Sequence, residues 1–243
     1  MAKLSSILAT DLDGTFLGGE TRSRWTFYHE LQADRDRRLL IFVTGRGVNS
    51  IQKLCQKPGI PEPDYIIGDV GTTIVHWPTK TPVSLVQNWV DDTWNGAGDR
   101  MKALLADEPG IKLQPIGPDR RVSYYYQPEL LEDSTLQKIV DAGCDYIMSG
   151  DRYLDVMPKG VSKGPSLLKL MEVLDLDREA VIAAGDSLND LSLFETGLKS
   201  VAVGNSEPKL VEKIQTLPNV YLSAKMGVAG IVEGLQYYGR DRL

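Results

Sequence analysis

The chain is poor in the residue types that build crosslinks and soft metal centres, with two cysteines and two histidines in 243 residues. Cys55 and Cys144 lie far apart, and neither belongs to a closely spaced Cys or Cys/His set. That excludes a disulfide scaffold and a thiolate metal site, and leaves two reduced, structural thiols. His29 and His76 are isolated and read as structural. No apolar run approaches the ~18 residues of a membrane span. The first ten residues carry one cation and a short apolar run that enters Asp11-Leu12-Asp13 without a small-residue cleavage site, so they read as a strand and not as a leader. A cytoplasmic location is expected. Positive charge is also scarce: the net charge of −6 and pI near 5.1 give no electrostatic footprint for nucleic acid or an anionic membrane. The basic cluster Arg35-Asp36-Arg37-Arg38 is broken by an acid and is expected to be a solvated turn between a helix and a strand. Neither a fixed-period repeat nor a low-complexity tract is present.

What is there suits a folded domain with a sizeable core: 42% hydrophobic and 25% charged residues. Short apolar runs recur, each followed by Gly or Asp and then a longer amphipathic segment, which predicts an α/β fold around a parallel sheet. Strands are expected at 6–10, 39–44, 65–68, 181–185, 200–203 and 220–222, and helices at 25–33, 48–55, 164–174, 190–196, 208–215 and 229–237. From 79 to 157 the rhythm breaks into helix-like stretches at 91–106 and 130–142 and β-like runs at 121–126 and 146–148. This predicts a Rossmann-like core formed by 1–78 and 158–243, with a smaller α+β domain inserted at 79–157.

Four segments carry the chemistry. In Ile7-Leu8-Ala9-Thr10-Asp11-Leu12-Asp13-Gly14 a β run ends in two carboxylates and a glycine, at the strand end where open α/β sheets bind ligands. Such a pair is costly unless a metal or a protonation difference relieves it. A carboxylate can attack phosphorus to give an aspartyl-phosphate, and its neighbour can protonate the leaving alkoxide and later deprotonate water. Leu39-Leu40-Ile41-Phe42-Val43-Thr44-Gly45-Arg46 ends a second buried strand in a hydroxyl and a glycine, a holder for phosphate oxygens or a helix cap. Lys163 follows Lys159 and stands ahead of Gly164 at a helix start, where an ammonium could neutralise a nucleophilic carboxylate and a phosphoryl group. Gly185-Asp186-Ser187-Leu188-Asn189-Asp190 supplies hard oxygen ligands suited to Mg²⁺. Asp186 is the expected direct ligand, and Asn189 and Asp190 are a further ligand, a phosphate contact or a support.

Together, and in this order, the segments resemble the four motifs of the haloacid dehalogenase superfamily. The resemblance implies Asp11 as nucleophile, Asp13 as acid and base, and Thr44 and Lys163 as catalytic holders of the phosphoryl group. It implies a Mg²⁺ site of Asp11, the Asp13 carbonyl and Asp186, with Asp190 in the metal set. Gly45, Arg46 and Asn189 join Thr44 and Lys163 as substrate contacts. An insertion between Thr44 and Lys163 is where the branch with an α+β cap carries substrate specificity.

Within that branch Pro63-Asp64-Tyr65-Ile66-Ile67-Gly68-Asp69-Val70-Gly71-Thr72, Arg121-Val122-Ser123-Tyr124-Tyr125-Tyr126 and Leu154-Asp155-Val156-Met157-Pro158-Lys159 are similar to the sucrose-phosphate phosphatase group. Hydrolysis of sucrose 6-phosphate is therefore expected, with mannosylglycerate and mannosylfructose phosphates as alternatives. Gly47 follows Arg46 where that group often has Ser, and Arg121 stands in place of Lys. Sugar contacts are sought in the insertion at Tyr124, Tyr126 and Asp155, and also at Asp151, Trp89 and Trp94, whose aromatic members read equally as core or sheet face. A sugar phosphomutase has similar chemistry but a different fourth motif. A non-catalytic sugar-phosphate-binding module would lack carboxylates that this chain retains. The expected partner is a small sugar phosphate, bound by a monomer or small homo-oligomer.

Overall fold

The computed structural model describes residues 6–33, 35–116 and 120–240, so the first five residues of the segment weighed as a leader lie outside the described residues. The chain begins with β1 (Ser6–Thr10), α1 (Thr21–Ala33), β2 (Arg38–Val43), α2 (Val48–Cys55) and β3 (Tyr65–Gly68). A hairpin of β4 (Thr73–His76) and β5 (Thr81–Pro82) precedes α3 (Ser84–Trp94) and α4 (Ala97–Leu104). Next come β6 (Ile111–Leu113), β7 (Val122–Tyr126), α5 (Asp133–Asp141), β8 (Cys144–Ser149) and β9 (Tyr153–Pro158). The return half holds α6 (Lys163–Leu174), β10 (Val181–Gly185), α7 (Leu191–Phe194), β11 (Lys199–Ala202), α8 (Pro208–Ile214), β12 (Val220–Leu222) and α9 (Gly227–Tyr237).

The large sheet has the order β12-β11-β10-β1-β2-β3-β4-β5, parallel from β12 to β3 and closed by the antiparallel hairpin. From β1 the strand order runs outward to β3 on one side, and from β10 to β12 on the other. The crevice between the carboxyl ends of β1 and β10 is therefore the topological switch point of the expected α/β fold. Side chains alternate across each buried strand: Leu8, Phe42 and Ile182 join Phe16 and Ile231 on one face, while Ile7, Ile41 and Val181 join Leu167 and Leu170 on the other.

The second sheet is antiparallel, in the order β6-β7-β9-β8. Its covered face buries Val122, Tyr124, Tyr126, Leu154 and Val156 against Trp94, Met101, Leu105 and Ile139. This layer starts later than residue 79. Thr81 and Pro82 pair with β4 in the large sheet, and Val86 and Val90 of α3 pack into the large sheet's core. Trp89 packs there too, whereas Trp94 lies in the small core. The helix expected at 91–106 is two helices, because Asn95 and Gly96 both take left-handed φ, 45° and 65°, and end α3.

Other boundaries also move. The helix expected at 190–196 is a 3-10 turn followed by the single turn of α7. The Arg35 to Arg38 cluster is less solvated than expected, since Arg35 pairs with Asp64 at 2.8 Å and Arg38 is buried at the head of β2. Both cysteines are free, and Cys144 is buried in the small core. Among the described residues no helix is long and apolar enough to cross a membrane.

Candidate active site

Asp11 stands one residue beyond β1. Its N–H donates to the Ala184 carbonyl of β10 at 2.9 Å, which fixes it at the crevice. The chain then turns sharply through Leu12–Phe16, with Gly14 at φ 82°. Glycine is required there by contact as well, because a Cβ would lie 2.2 Å from Asp186 Oδ2.

Lys163 opens α6 and is fully buried. Its Nζ donates to Asp11 Oδ1 at 2.8 Å, Asn189 Oδ1 at 2.5 Å and Asp190 Oδ1 at 2.6 Å. The next residue lets the helices meet: a Cβ on Gly164 would lie 1.9 Å from the Ser192 carbonyl oxygen. Asp190 Oδ2 accepts the N–H groups of Asp186 and Ser187, both at 3.0 Å. Asp186 Oδ1 accepts the Thr15 hydroxyl at 2.6 Å and its Oδ2 the Asn205 amide at 3.3 Å; that amide also donates to the Gly14 carbonyl at 3.1 Å.

Asp11, Asp186 and Asp190 thus bring carboxylate oxygens within 4.8 Å of one another beside the ammonium of Lys163. Burial pushes the Asp11 carboxyl up to about 8; Lys163 opposes the rise, and Asp190 and Asp186 add to it. Burial also lifts Asp186 to about 7 against the Thr15 hydrogen bond. Burial works against the Lys163 ammonium, yet Asp11 and Asp190 hold its pKa above the usual lysine value. The cluster is short of positive charge.

Asp13 stands apart from this cluster. Its exposed carboxylate forms a two-pronged pair with Arg46, at 2.7 Å to Nε and 2.5 Å to the terminal nitrogen. The expectation for Asp13 at the metal site concerns its backbone carbonyl, and this side-chain pairing does not bear on it. Asp190 lies in the cluster, with Oδ1 accepting from Lys163 and Oδ2 from the backbone N–H groups after β10. Thr44 is buried at the end of β2, and its hydroxyl accepts the Arg46 N–H at 3.2 Å.

These groups open on a cleft of about 480 Å³. Its floor includes Asp11, Asp13, Thr44, Gly45, Arg46 and Asn189, and its roof is the open face of the small sheet, with Gln114, Arg121, Ser149, Tyr153 and Asp155. Tyr124 and Tyr126 are not on that roof. They point to the covered face of β7, and their neighbours Ser123 and Tyr125 share the open face with their cross-strand partners Asp155 and Tyr153. Asp151 sits at the hairpin between β8 and β9 and pairs with Lys209, outside the cleft.

The sequence matches the family described as sucrose-6F-phosphate phosphohydrolase over residues 4–239. The chain belongs to that family. Among relatives of this phosphohydrolase, the mannosylfructose-phosphate phosphatase of Agrobacterium fabrum is 30% identical over 243 residues, 96% of each chain. The glucosylglycerol-phosphate synthase of Pseudomonas anguilliseptica is 40% identical over 96% of this chain, which spans 31% of that protein's length. The sucrose-phosphatase of Synechocystis sp. PCC6803, solved with sucrose and phosphate, superposes with a TM-score of 0.86 over 97% of this chain and 98% of its own, at 24% identity, and shares its fold.

Several residues of the phosphohydrolase's cleft lay outside the sequence reading. Tyr153 could have been found from Asp155, since residues two apart in a strand share a face. Thr15 directly follows the first segment, and only its contact with Asp186 gives it a part. Asn205 and Glu207 lie after β11 with no local pattern to single them out. Glu207 lines the cleft and accepts the Leu188 N–H at 3.1 Å.

Proposed function

We propose that this phosphohydrolase removes phosphate from a glycosyl phosphate through an aspartyl-phosphate on Asp11. The observation that carries the reading is Asp11 held at the floor of the cleft, 2.8 Å from the buried ammonium of Lys163. Attack by the Asp11 carboxylate forms a new P–O bond and breaks the ester P–O bond, and Asp13 gives its proton to the leaving sugar oxygen. Water then attacks the acyl phosphate with Asp13 as base, which releases orthophosphate and restores Asp11. The Asp13 pair with Arg46 opens for this, freeing the guanidinium for substrate. Thr44, Gly45, Lys163 and Asn189 hold the phosphoryl oxygens.

The acidic cluster fits a magnesium ion. Its carboxylates outnumber the cations beside them, and hydrogen bonds from the Thr15 hydroxyl and the Asn205 amide hold Asp186 close against Gly14. Asp11, Asp186 and the Asp13 carbonyl would hold the ion, which supplies charge neutralisation for the phosphoryl group.

The roof supplies a sugar site of one guanidinium, one carboxylate, one tyrosine and one amide, a set suited to hydroxyl groups. The 40% identity to part of a glucosylglycerol-phosphate synthase is a reason to test glucosylglycerol phosphate beside sucrose 6-phosphate and mannosylfructose phosphate. The test is orthophosphate release with Mg²⁺ from these three, mannosylglycerate phosphate, trehalose 6-phosphate and hexose monophosphates, with Asp11→Asn as control. Fast hydrolysis of one glycosyl phosphate, lost in the variant, supports the reading. Isomerisation of hexose phosphates without release would replace it with a mutase.

A further inference from the structure

Arg121 joins the two walls of the cleft at a position where the chain departs from the lysine of the group it resembles. Its side chain is 9% exposed and donates to Asp155 Oδ1 at 2.7 Å on the roof, and to Asp69 Oδ1 and the Gly45 carbonyl, each at 3.2 Å, on the floor. Asp69 is buried in a tight turn after β3, where Asp69 and Val70 both take positive φ, 51° and 59°. A β-branched residue in that region is strained and has to be held by its surroundings. The turn is tied to the loop after β2, with Asp69 N–H to the Arg46 carbonyl at 3.0 Å and Val70 N–H to the Thr44 carbonyl at 3.1 Å. Arg121 therefore grips loop 44–46 twice, directly at Gly45 and through Asp69. A lysine ammonium is a point charge; a planar guanidinium can hold three acceptors in one fixed arrangement.

We propose that Arg121 is a positioning residue that makes the phosphate-holding geometry of loop 44–46 depend on the small sheet being seated over the cleft. The proposal rests on the phosphatase reading. With the roof raised, Arg121 leaves with Asp155, and Asp69, the strained turn and Gly45 lose their common anchor together. The Lys209 pair with Asp151 also spans the two walls, but with side chains 63% and 64% exposed it adds little.

The test compares Arg121→Lys, Asp69→Asn and the double variant in three ways. Turnover is measured on the glycosyl phosphate that the unmodified enzyme hydrolyses fastest, hydrogen exchange over residues 44–47 in the substrate-free protein, and stability by thermal melts. Each single variant is expected to lower kcat/KM at least about tenfold, and the double variant to be no worse than the more damaged single one. Exchange at 44–47 is expected to speed up in all three while the melts stay close to the parent. Multiplying effects in the double variant, or unchanged exchange at 44–47 in Arg121→Lys, overturn the proposal. Should Asp69→Asn not fold, exchange in Arg121→Lys decides. Should the unmodified enzyme release no phosphate from any substrate, the phosphatase reading fails, and exchange alone judges the coupling.

Discussion

The floor of the cleft is built at the ends of parallel strands, and its roof on the open face of an antiparallel sheet. On the floor, each acidic group sits within a few residues of a strand end; Lys163 and backbone hydrogen bonds hold Asp11 and Asp190, and Thr15 and Asn205 hold Asp186. On the roof, the cleft-facing residues alternate along strands with residues of a buried core, and side-chain pairs such as Arg121 with Asp155 hold them. On the proposed reading the floor carries the chemistry through its charges and the roof meets the sugar, so changes at roof residues that touch only the sugar should alter KM more than the chemical step.

Asp11→Asn should separate the two regions most sharply. It removes the nucleophile, so orthophosphate release is expected to fall by at least about 10³-fold on every substrate. The same change relieves an under-neutralised carboxylate cluster, so the Mg²⁺-free protein should melt higher than the parent. A lower melting temperature would mean that Asp11 and Lys163 form a stabilising pair and that the cluster is not short of cations.

Lys163→Met tests the floor from the other side. It leaves Asp11 and Asp190 buried without their shared ammonium, and breaking such a pair costs about 3–5 kcal/mol, a fall in melting temperature of roughly 10 °C for a chain of this size. Calorimetry would check it. No roof substitution is expected to approach that loss.

The floor should also respond to pH. Folded Asp11 and Asp186 keep their protons up to about 8 and about 7, whereas an unperturbed aspartate carboxyl loses its proton near 3.8. Between those limits the folded state binds more protons than the unfolded one, so stability without Mg²⁺ falls as pH rises. A divalent cation competes with those protons. At one fixed Mg²⁺ concentration the rise in melting temperature should therefore be larger at about pH 8 than at about pH 6. A shift that is equal or larger at the lower pH would remove these two carboxyls from the cation site.

Legibility in the sequence follows the same division. Asp11, Thr44 and Asp186 could be read because an apolar run and its terminal polar residue are contiguous in the chain, and a parallel strand places that terminus at the crevice; Lys163 could be read from the glycine and helix start that follow it. The parallel strands of the large sheet were equally plain as buried runs, whereas the antiparallel β4, β5, β6 and β9 were not expected. The roof could not be read this way. The Tyr-rich run of β7 has aromatic residues on both faces, so composition cannot say which face is covered, and the expected contacts at Tyr124 and Tyr126 fall on the covered one. The contact of Asp190 with Lys163 and the pairing of Asp13 with Arg46 depend on long-range geometry, whereas the capping of Ser187 by Asp190 is local.

Tyrosines on opposite faces of the small sheet make the finest test of the comparison. Tyr153 lines the cleft, and Tyr153→Ala is expected to raise KM for the glycosyl phosphate about tenfold, the value of an aromatic face against a sugar ring, with kcat little changed. Tyr124 is 3% exposed, and its buried hydroxyl has no hydrogen-bond partner among the described residues. Removing an unsatisfied hydroxyl while keeping the ring costs nothing in hydrogen bonding and relieves a desolvation penalty of about 1 kcal/mol. Tyr124→Phe should therefore leave KM and kcat unchanged and raise the melting temperature by a few degrees at most. A rise in KM in Tyr124→Phe, with none in Tyr153→Ala, would reverse the assignment of the two faces.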